Sequence, residues 1–361
     1  MSTLSELLRS TADIGASDLH LTCGQSPAYR VSGELVIEDT VPLGDKDIRM
    51  IIEEAVPDHL LANFEESCEL DFSLAKEGIG RFRVNVFLTR NGPAIAFRYV
   101  KSRIPSTEEL NLPPIIDDLS NTKRGIVFVT GSTGSGKSST LAAIIRRINE
   151  YQSRRIITLE DPVEYMFSDI NSIISQREVG LDTETFHDGL KRVLRQDPDI
   201  IMIGEMRDAE SFSAALSAAE TGHFVLSTLH TASATQAVAR ILDFSEHADR
   251  DQIRKAIADN LVAILSQRLL PAIQGGLVPA VEIMFNTPTV GKLIRIDELN
   301  KLQQAVASDN ESGMQTFDQS IYNLIRDGKI TETVGLANAT NPQSLQMNLK
   351  GIFQDSSKGI V

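Results

Sequence analysis

Residues Gly131 to Ser138 read GSTGSGKS. This is the spacing of a phosphate-binding loop, GxxxxGK[ST], with a strand-like GIVFVT before it and a helix-like SSTLAAIIRRI after it. The glycines let the backbone curl so that its N–H groups face phosphate oxygens. The helix that follows adds its positive end. On this reading Gly131, Ser132, Thr133, Gly134, Ser135, Gly136, Lys137, Ser138 and Ser139 cradle a nucleotide. Lys137 reaches the β and γ phosphates, and the Ser138 hydroxyl holds the Mg²⁺ that accompanies ATP.

Three further segments carry groups that suit phosphoryl transfer. DIIMIGEMRD, Asp199 to Asp208, delivers Gly204 and Glu205 to the end of an apolar strand. A carboxylate there can hold the Mg²⁺ shell directly or through water. RIITLEDPVEY offers Glu160, Asp161 and Glu164. Either one of them polarises an attacking water, or the segment is an acidic turn stopped by Pro162. In TGHFVLSTLHT, His223 opens a strand and His230 closes it. His230 is the better placed for a γ-phosphate, the plainer alternative for each being a satisfied rim histidine. Neither has a third partner at metal-ligand spacing. Arg81 and Arg83 share a face of RFRVNVF by the two-residue strand period, and Arg98 lies on the next strand-like segment. They form an anion site, acting in trans if subunits make a ring, or a solvated face, and spacing alone favours the solvated face.

These groups need a sheet to hold them. GIVFVT, RIITLE, DIIMIG and HFVLSTLH are continuous apolar runs of the kind that fill parallel strands. Each is followed by a loop and then by helix-like sequence, which predicts a doubly wound α/β core with ligands at the strands' carboxyl ends. Residues 1–100 differ: short alternating strands (DLHLT, AYRVSG, LDFSL, RFRVNVFLT, AIAFRYV) are interleaved with amphipathic helices, an α+β pattern. KSRIPSTEELNLPP, residues 101–114, reads as a linker or hinge. Residues 115–361 form the second domain. After about residue 250 the pattern looks mainly helical, including DQIRKAIADNLVAILSQRLL, and the last residues, DSSKGIV, read as mobile.

Composition narrows the class. The chain has 361 residues, about two domains' worth, and is 42% hydrophobic. Its net charge of −14 is a poor fit to a nucleic-acid track, which needs basic surface. It has no tryptophan to stack on bases. No apolar run approaches the ~20 residues of a membrane span, and the N-terminus shows no secretory signal. Cys23 and Cys68 are isolated, without zinc or disulfide spacing, as in a reducing cytosol.

Taken together, GSTGSGKS, IITLEDPVEY, IIMIGEMRD and TGHFVLSTLHT resemble the Walker A loop, Asp box, atypical Walker B and His box of the secretion ATPase superfamily. GASDLHLTCGQSPAYRVSGEL, GRFRVNVFLTRNGPAIAFR and ISQREVGLDTETFHDGLKRVLRQDPD resemble its type IV pilus retraction ATPases, the PilT group. The resemblance runs from about residue 4 to residue 335. It implies a PAS-like N-terminal domain, a RecA-like ATPase domain and a homohexameric ring. It implies Glu164 as general base, Glu205 as the Mg²⁺-associated acid and His230 as γ-phosphate sensor. Arg81, Arg83 and Arg98 would contact nucleotide at an interface. It further implies a cytoplasmic motor, peripheral at the inner membrane, that docks on a PilC-like platform protein, with a paralogous retraction ATPase as a possible second partner. Two cysteines cannot make the tetracysteine zinc site of the assembly and type II secretion ATPases. The retraction motors' AIRNLIRE-like segment is matched by TVGKLIRID, Thr289 to Asp297, only at Leu293, Ile294 and Arg295. That leaves the accessory PilU group as the alternative. A RecA-like nucleic-acid motor, and a regulatory subunit with a locked site, are the readings from other classes.

Overall fold

The computed structural model describes residues 3–31, 33–100, 103–244 and 250–352. Positions 101 and 102 of the expected hinge, His247, and the terminal segment read as mobile lie outside them. The chain divides into two compact units, residues 1–103 with Glu164–Met166, and residues 104–163 with 167–361.

The first unit opens with α1 (Leu4–Asp13), started by a Thr3–Glu6 capping box. Its strands are β1 (Asp18–Thr22), β2 (Ala28–Val31), β3 (Glu34–Ile37), β4 (Glu69–Lys76), β5 (Gly80–Thr89) and β6 (Gly92–Val100). They form an antiparallel sheet in the order β3-β2-β1-β6-β5-β4. Helices α2 (Asp45–Ala55) and α3 (Asp58–Ser67) link β3 to β4. Strand alternation sends Leu19, Leu21, Phe82, Val84 and Phe97 into a core with Leu8 and Ile48 of the helices.

The second unit is a seven-stranded sheet. Its strands are β7 (Gly125–Thr130), β8 (Arg155–Glu160), β9 (Ile173–Glu178), β10 (Ile200–Ile203), β11 (Phe224–Leu229), β12 (Leu261–Pro271) and β13 (Leu277–Phe285). The order is β13-β12-β7-β11-β10-β8-β9, parallel throughout except for β12–β13. One face packs on α4 (Lys137–Tyr151) through Leu141, Ile144 and Ile148. The other packs on α5 (Phe186–Val193), α6 (Ala209–Glu220), α7 (Ala234–Leu242) and α8 (Arg250–Asn260) through Leu190, Phe212, Ile241 and Ile257. The helices α9 (Pro288–Arg295), α10 (Leu302–Ser308), α11 (Phe317–Arg326), α12 (Glu332–Asn338) and α13 (Pro342–Leu349) complete the chain. Phe317, Ile321 and Leu345 make a smaller core with Leu270 and Val278 of the β12–β13 hairpin.

One element expectation fails. LVAILSQRLL is not helix but strand β12. The helical pattern stops because residues far along the chain stop it. Asn286 Nδ2 donates to Ala258 O in the last turn of α8 and to Leu261 O at the start of β12, both at 2.9 Å, which satisfies a terminal helix carbonyl and ties down the helix-to-strand junction. Beyond that point β12 takes β7 as a parallel neighbour and β13 as an antiparallel one. The segment read as a linker is also only partly free. From Ile104 it packs within the second unit and continues into a 3₁₀ helix, Pro114–Asn121, against α4. Arg146 Nη1 donates to Ile104 O at 2.7 Å, and Arg147 pairs with Asp117 at 3.2 Å.

Candidate functional site

The phosphate loop sits where β7 ends. Every residue of β7 is buried, so the strand is a fixed post for Gly131. Gly131 has a φ of +146°. A Cβ there would fall against Ser135 Oγ and 2.5 Å from the backbone oxygen of Gln267 on β12. Only glycine lets the loop pass β12 this closely. Gly134 (φ +79°) and Gly136 (φ +90°) complete the curl. Gly136 occupies the N-cap of α4 with no side-chain cap, which leaves the helix's first N–H groups to face the loop. Lys137 is buried, and its Nζ donates to Gly131 O and Ser132 O, each at 3.0 Å. Ser135 Oγ is buried without a hydrogen-bond partner among the described residues, an orphan donor at the centre of the curl. Ser132, Thr133 and Gly134 are exposed, whereas Ser138 and Ser139 are half-buried. Beside the loop lies a cavity of about 190 Å³ lined by Leu110, Leu112, Gly136, Thr140, Leu269 and Pro279. Gln267 Nε2 donates to Thr140 Oγ1 at 2.8 Å and ties α4 to β12 there.

Next along the sheet, the ends of β11, β10 and β8 converge. Gly204 N donates to Leu159 O and Thr228 Oγ1 donates to Gly204 O, both at 2.7 Å, so the turn after β10 is held from both sides. Glu205 follows, its side chain 15% exposed. One of its oxygens contacts Arg207 Nε, and the other lies 3.4 Å from His230 Nε2. Arg207 also lies 4.0 Å from Asp161 Oδ2. The structure thus gathers Glu205, His230, Asp161 and Arg207 at the carboxyl ends of adjacent parallel strands.

The remaining sequence candidates separate. Glu160 is buried, and its Oε1 accepts from Thr158 Oγ1 at 2.7 Å and from Gln176 Nε2 at 3.1 Å, a structural tie. Glu164 is exposed, on the three-residue stretch grouped with the first unit. His223 lies at the opposite end of β11 from His230, with Nδ1 2.9 Å from Ala218 O. Arg83 and Arg98 are cross-strand partners on the polar face of the first unit's sheet. They line a shallow concavity with Asp18, His20 and Asp71. Arg98 donates to Asp18 at 2.8 Å. Burial pulls the Asp18 carboxyl upward, but hydrogen bonds from Arg98 and Ser17 and the Arg98 charge outweigh it and leave the group below its usual value. Arg81 is half-buried on β5, two residues before Arg83.

The chain matches the family of type II/IV secretion system proteins over residues 66–339. Among proteins of similar sequence is the type IV pilus ATPase PilU of Pseudomonas aeruginosa, 40% identical over 96% of this chain and 91% of that one. Another is the pilus retraction ATPase PilT of the same organism, 39% identical over 94% and 99% of the respective chains. The chain belongs to the PilT and PilU pilus ATPases of the type II/IV secretion family. A crystal structure of the pilus retraction motor PilT with bound ADP superposes with a TM-score of 0.89 at 40% identity, covering 96% of this chain and 99% of that one. That likeness extends through both units, and the secretion-ATPase fold expected from the motifs is the fold observed.

Within this PilT/PilU framework the departing TVGKLIRID segment has a physical basis. It forms α9 and the turn after it, capped by Thr287 and packed on α8. A Cβ at Gly291 would lie 3.1 Å from Asn286 Oδ1 and 3.4 Å from Ala258 O. The missing side chain lets α9 approach the point where α8 stops. Arg295, one of the matching residues, pairs with Asp259 of α8.

Sequence reasoning missed Gln267, Arg207 and the two β9 residues Gln176 and Glu178. Arg207 stands inside the GEMRD motif and was open to notice. Gln267 was hidden by the helical reading of its segment.

Proposed function

We propose that this chain is the subunit of a homohexameric ATPase that powers type IV pilus retraction. The observation that carries the reading is the cradle at the end of β7. A glycine presses against β12, a buried lysine is aimed into the loop and Ser135 Oγ is orphaned beside it. A polyphosphate satisfies all three, because it offers acceptors to the loop N–H groups, to Lys137 and to the hydroxyl. The cavity beside the loop, with leucines and a proline facing Thr140, suits the nucleoside end of the same molecule.

Residue roles follow from charge and position. Lys137 and the N-terminus of α4 stabilise the β and γ phosphates as charge moves onto the leaving oxygen. Ser138 and Glu205 are hard oxygen donors, which fits Mg²⁺, Glu205 acting directly or through water. Bound Mg²⁺ supplies charge neutralisation at the phosphates. His230, whose Nε2 lies 3.4 Å from Glu205, is the residue that would sense loss of the γ-phosphate. Glu164 is the general base that takes the proton from the attacking water. Arg81, Arg83 and Arg98 contribute to nucleotide contacts at an interface. The ring works in the cytoplasm at the inner membrane, on a PilC-like platform protein.

The second reading is the accessory role of a PilU-like paralogue. The near-equal identity to PilU and PilT and the altered TVGKLIRID segment favour keeping it. Deleting the gene in its host distinguishes the cases. Surplus surface pili without twitching support a retraction motor, unchanged piliation with weakened retraction under load supports the accessory role, and loss of pili refutes both. Purified Glu164→Gln is expected to bind nucleotide normally while turnover falls by about 10²–10⁴-fold. Near-normal turnover assigns the base to another carboxylate.

A further inference from the structure

Two side chains on the edge strand β9 grip the segment that carries Glu164. Glu178 is 6% exposed. Its Oε2 accepts from Val163 N at 3.2 Å, immediately before Glu164. Gln176 Oε1 accepts from Phe167 N at 2.9 Å, three residues after it. The same Gln176 donates through Nε2 to Glu160 Oε1, where the segment leaves β8. The grip is itself anchored, because Asp182 Oδ2 accepts from Glu178 N at 2.9 Å. Strand β9 pairs in parallel with β8, placing Gln176 opposite Thr158 and Glu178 opposite Glu160. One register therefore fixes both the strand that delivers the segment and the strand that holds it.

Neither side chain is needed for the sheet, whose ladder is made by backbone groups. Each instead satisfies a main-chain N–H of a segment that has left the ladder. A buried carboxylate spent on a loop N–H costs desolvation unless the bond is made, so the pairing pins the loop strongly. We propose that Glu178 and Gln176 are positioning residues for Glu164, bracketing it so that its carboxylate meets the attacking water at one fixed place. This rests on the reading of Glu164 as general base. A base displaced by about 1 Å loses up to about a hundredfold in rate.

The test uses the purified full-length chain, with steady-state ATP turnover, single-turnover hydrolysis of radiolabelled ATP and titration with fluorescent ADP. Glu178→Ala is expected to lower kcat by about 10–100-fold while KM for ATP and ADP affinity stay within about twofold. Glu178→Gln, which keeps an acceptor for Val163 N, is expected to restore kcat to within about threefold of wild type. In a Glu164→Gln background, adding Glu178→Ala is expected to cost nothing further, since both act on one proton transfer. Unchanged kcat in Glu178→Ala, a parallel loss of ADP affinity, or losses that multiply in the double variant overturn the positioning role and leave the base reading standing. Near-wild-type turnover of Glu164→Gln alone overturns the base reading and the positioning role with it. If Glu178→Ala does not fold, Gln176→Met removes the acceptor for Phe167 N and carries the same three comparisons.

Discussion

Gly131 and Gly134 both have positive φ, yet the structure assigns very different consequences to adding one methyl group. At Gly134, with φ of +79°, a Cβ meets nothing within 4 Å, so the cost of Gly134→Ala is backbone strain alone. That strain is about 1–2 kcal/mol, which weakens nucleotide binding by about 5–30-fold if it falls on the loop. At Gly131 the backbone strain is joined by a contact with Ser135 Oγ and one at 2.5 Å with the backbone oxygen of Gln267. The serine can rotate, but the Gln267 carbonyl belongs to β12, paired on both sides, and cannot. Overpacking of this kind adds about 1–3 kcal/mol to a strain of about 1–3 kcal/mol. The sum, about 2–6 kcal/mol, corresponds to a loss of about 30-fold to 10⁴-fold in affinity. Fluorescent-ADP titration measures the affinity, and thermal unfolding without nucleotide shows whether the fold absorbs any of the strain. A Gly131→Ala protein that binds within about threefold of wild type, or a Gly134→Ala protein that is the worse of the two, refutes the steric account of the loop.

Three other outcomes are expected. Lys137→Ala should fold, because water can serve the exposed Ser132 carbonyl, but should lose about two orders of magnitude in nucleotide affinity, or ~3 kcal/mol of charged hydrogen bonding; equilibrium dialysis with ATP checks it. Glu282 is 1% exposed, and burial raises its carboxyl pKa despite bonds from Ala234 N and Gln303. A raised folded-state value means its contribution is fully present below the unfolded carboxyl pKa and is lost as pH rises through the folded one. The Tm of Glu282→Gln should therefore gain on wild type between pH 4 and pH 8, and a pH-independent difference contradicts the assignment. Asp18 is the opposite case. Its lowered value gives stability above the unfolded pKa that is lost as pH falls, so Arg98→Ala, which removes a solvent-screened guanidinium, should destabilise by at most about 1 kcal/mol at pH 7 and progressively less in acid, as denaturant titrations across pH will show.

The four motif strands were legible because each is a short run of Val, Ile, Leu or Phe closed by a loop signal, and a buried parallel strand asks for nothing else. The alternating strands of the first unit were legible for the complementary reason, a core on one face only. Strand β12 was not. Its residues follow α8 with no Gly or Pro between, and the groups that end the helix belong to Asn286, two dozen residues later. Strand β9 escaped because Ser175, Gln176, Arg177 and Glu178 look like loop, an edge strand that carries polar work. The site divides in the same way. GSTGSGKS declares itself, since its backbone path depends on glycines in the sequence. The three carboxylates of LEDPVE look equivalent on paper. Only the fold shows that Glu160 is tied by Thr158 and Gln176, that Asp161 lies near Arg207, and that Glu164 is exposed and grouped with the first unit.

The wall that Gln267 sets against Gly131 has a consequence for the making of the protein. The phosphate loop leaves the ribosome early, but its closing neighbour lies 136 residues later, the separation spanned by the Thr130–Ser266 hydrogen bond. At about 5–20 residues per second of synthesis, the loop waits about 7–27 s for β12 to arrive. During that interval β7 lacks one of its two partner strands, and the curl at Gly131 has nothing to press against. A nascent chain stalled before residue 261 should carry the whole GSTGSGKS sequence and still hold nucleotide poorly. Competence to bind ATP is acquired late, as a by-product of finishing the sheet.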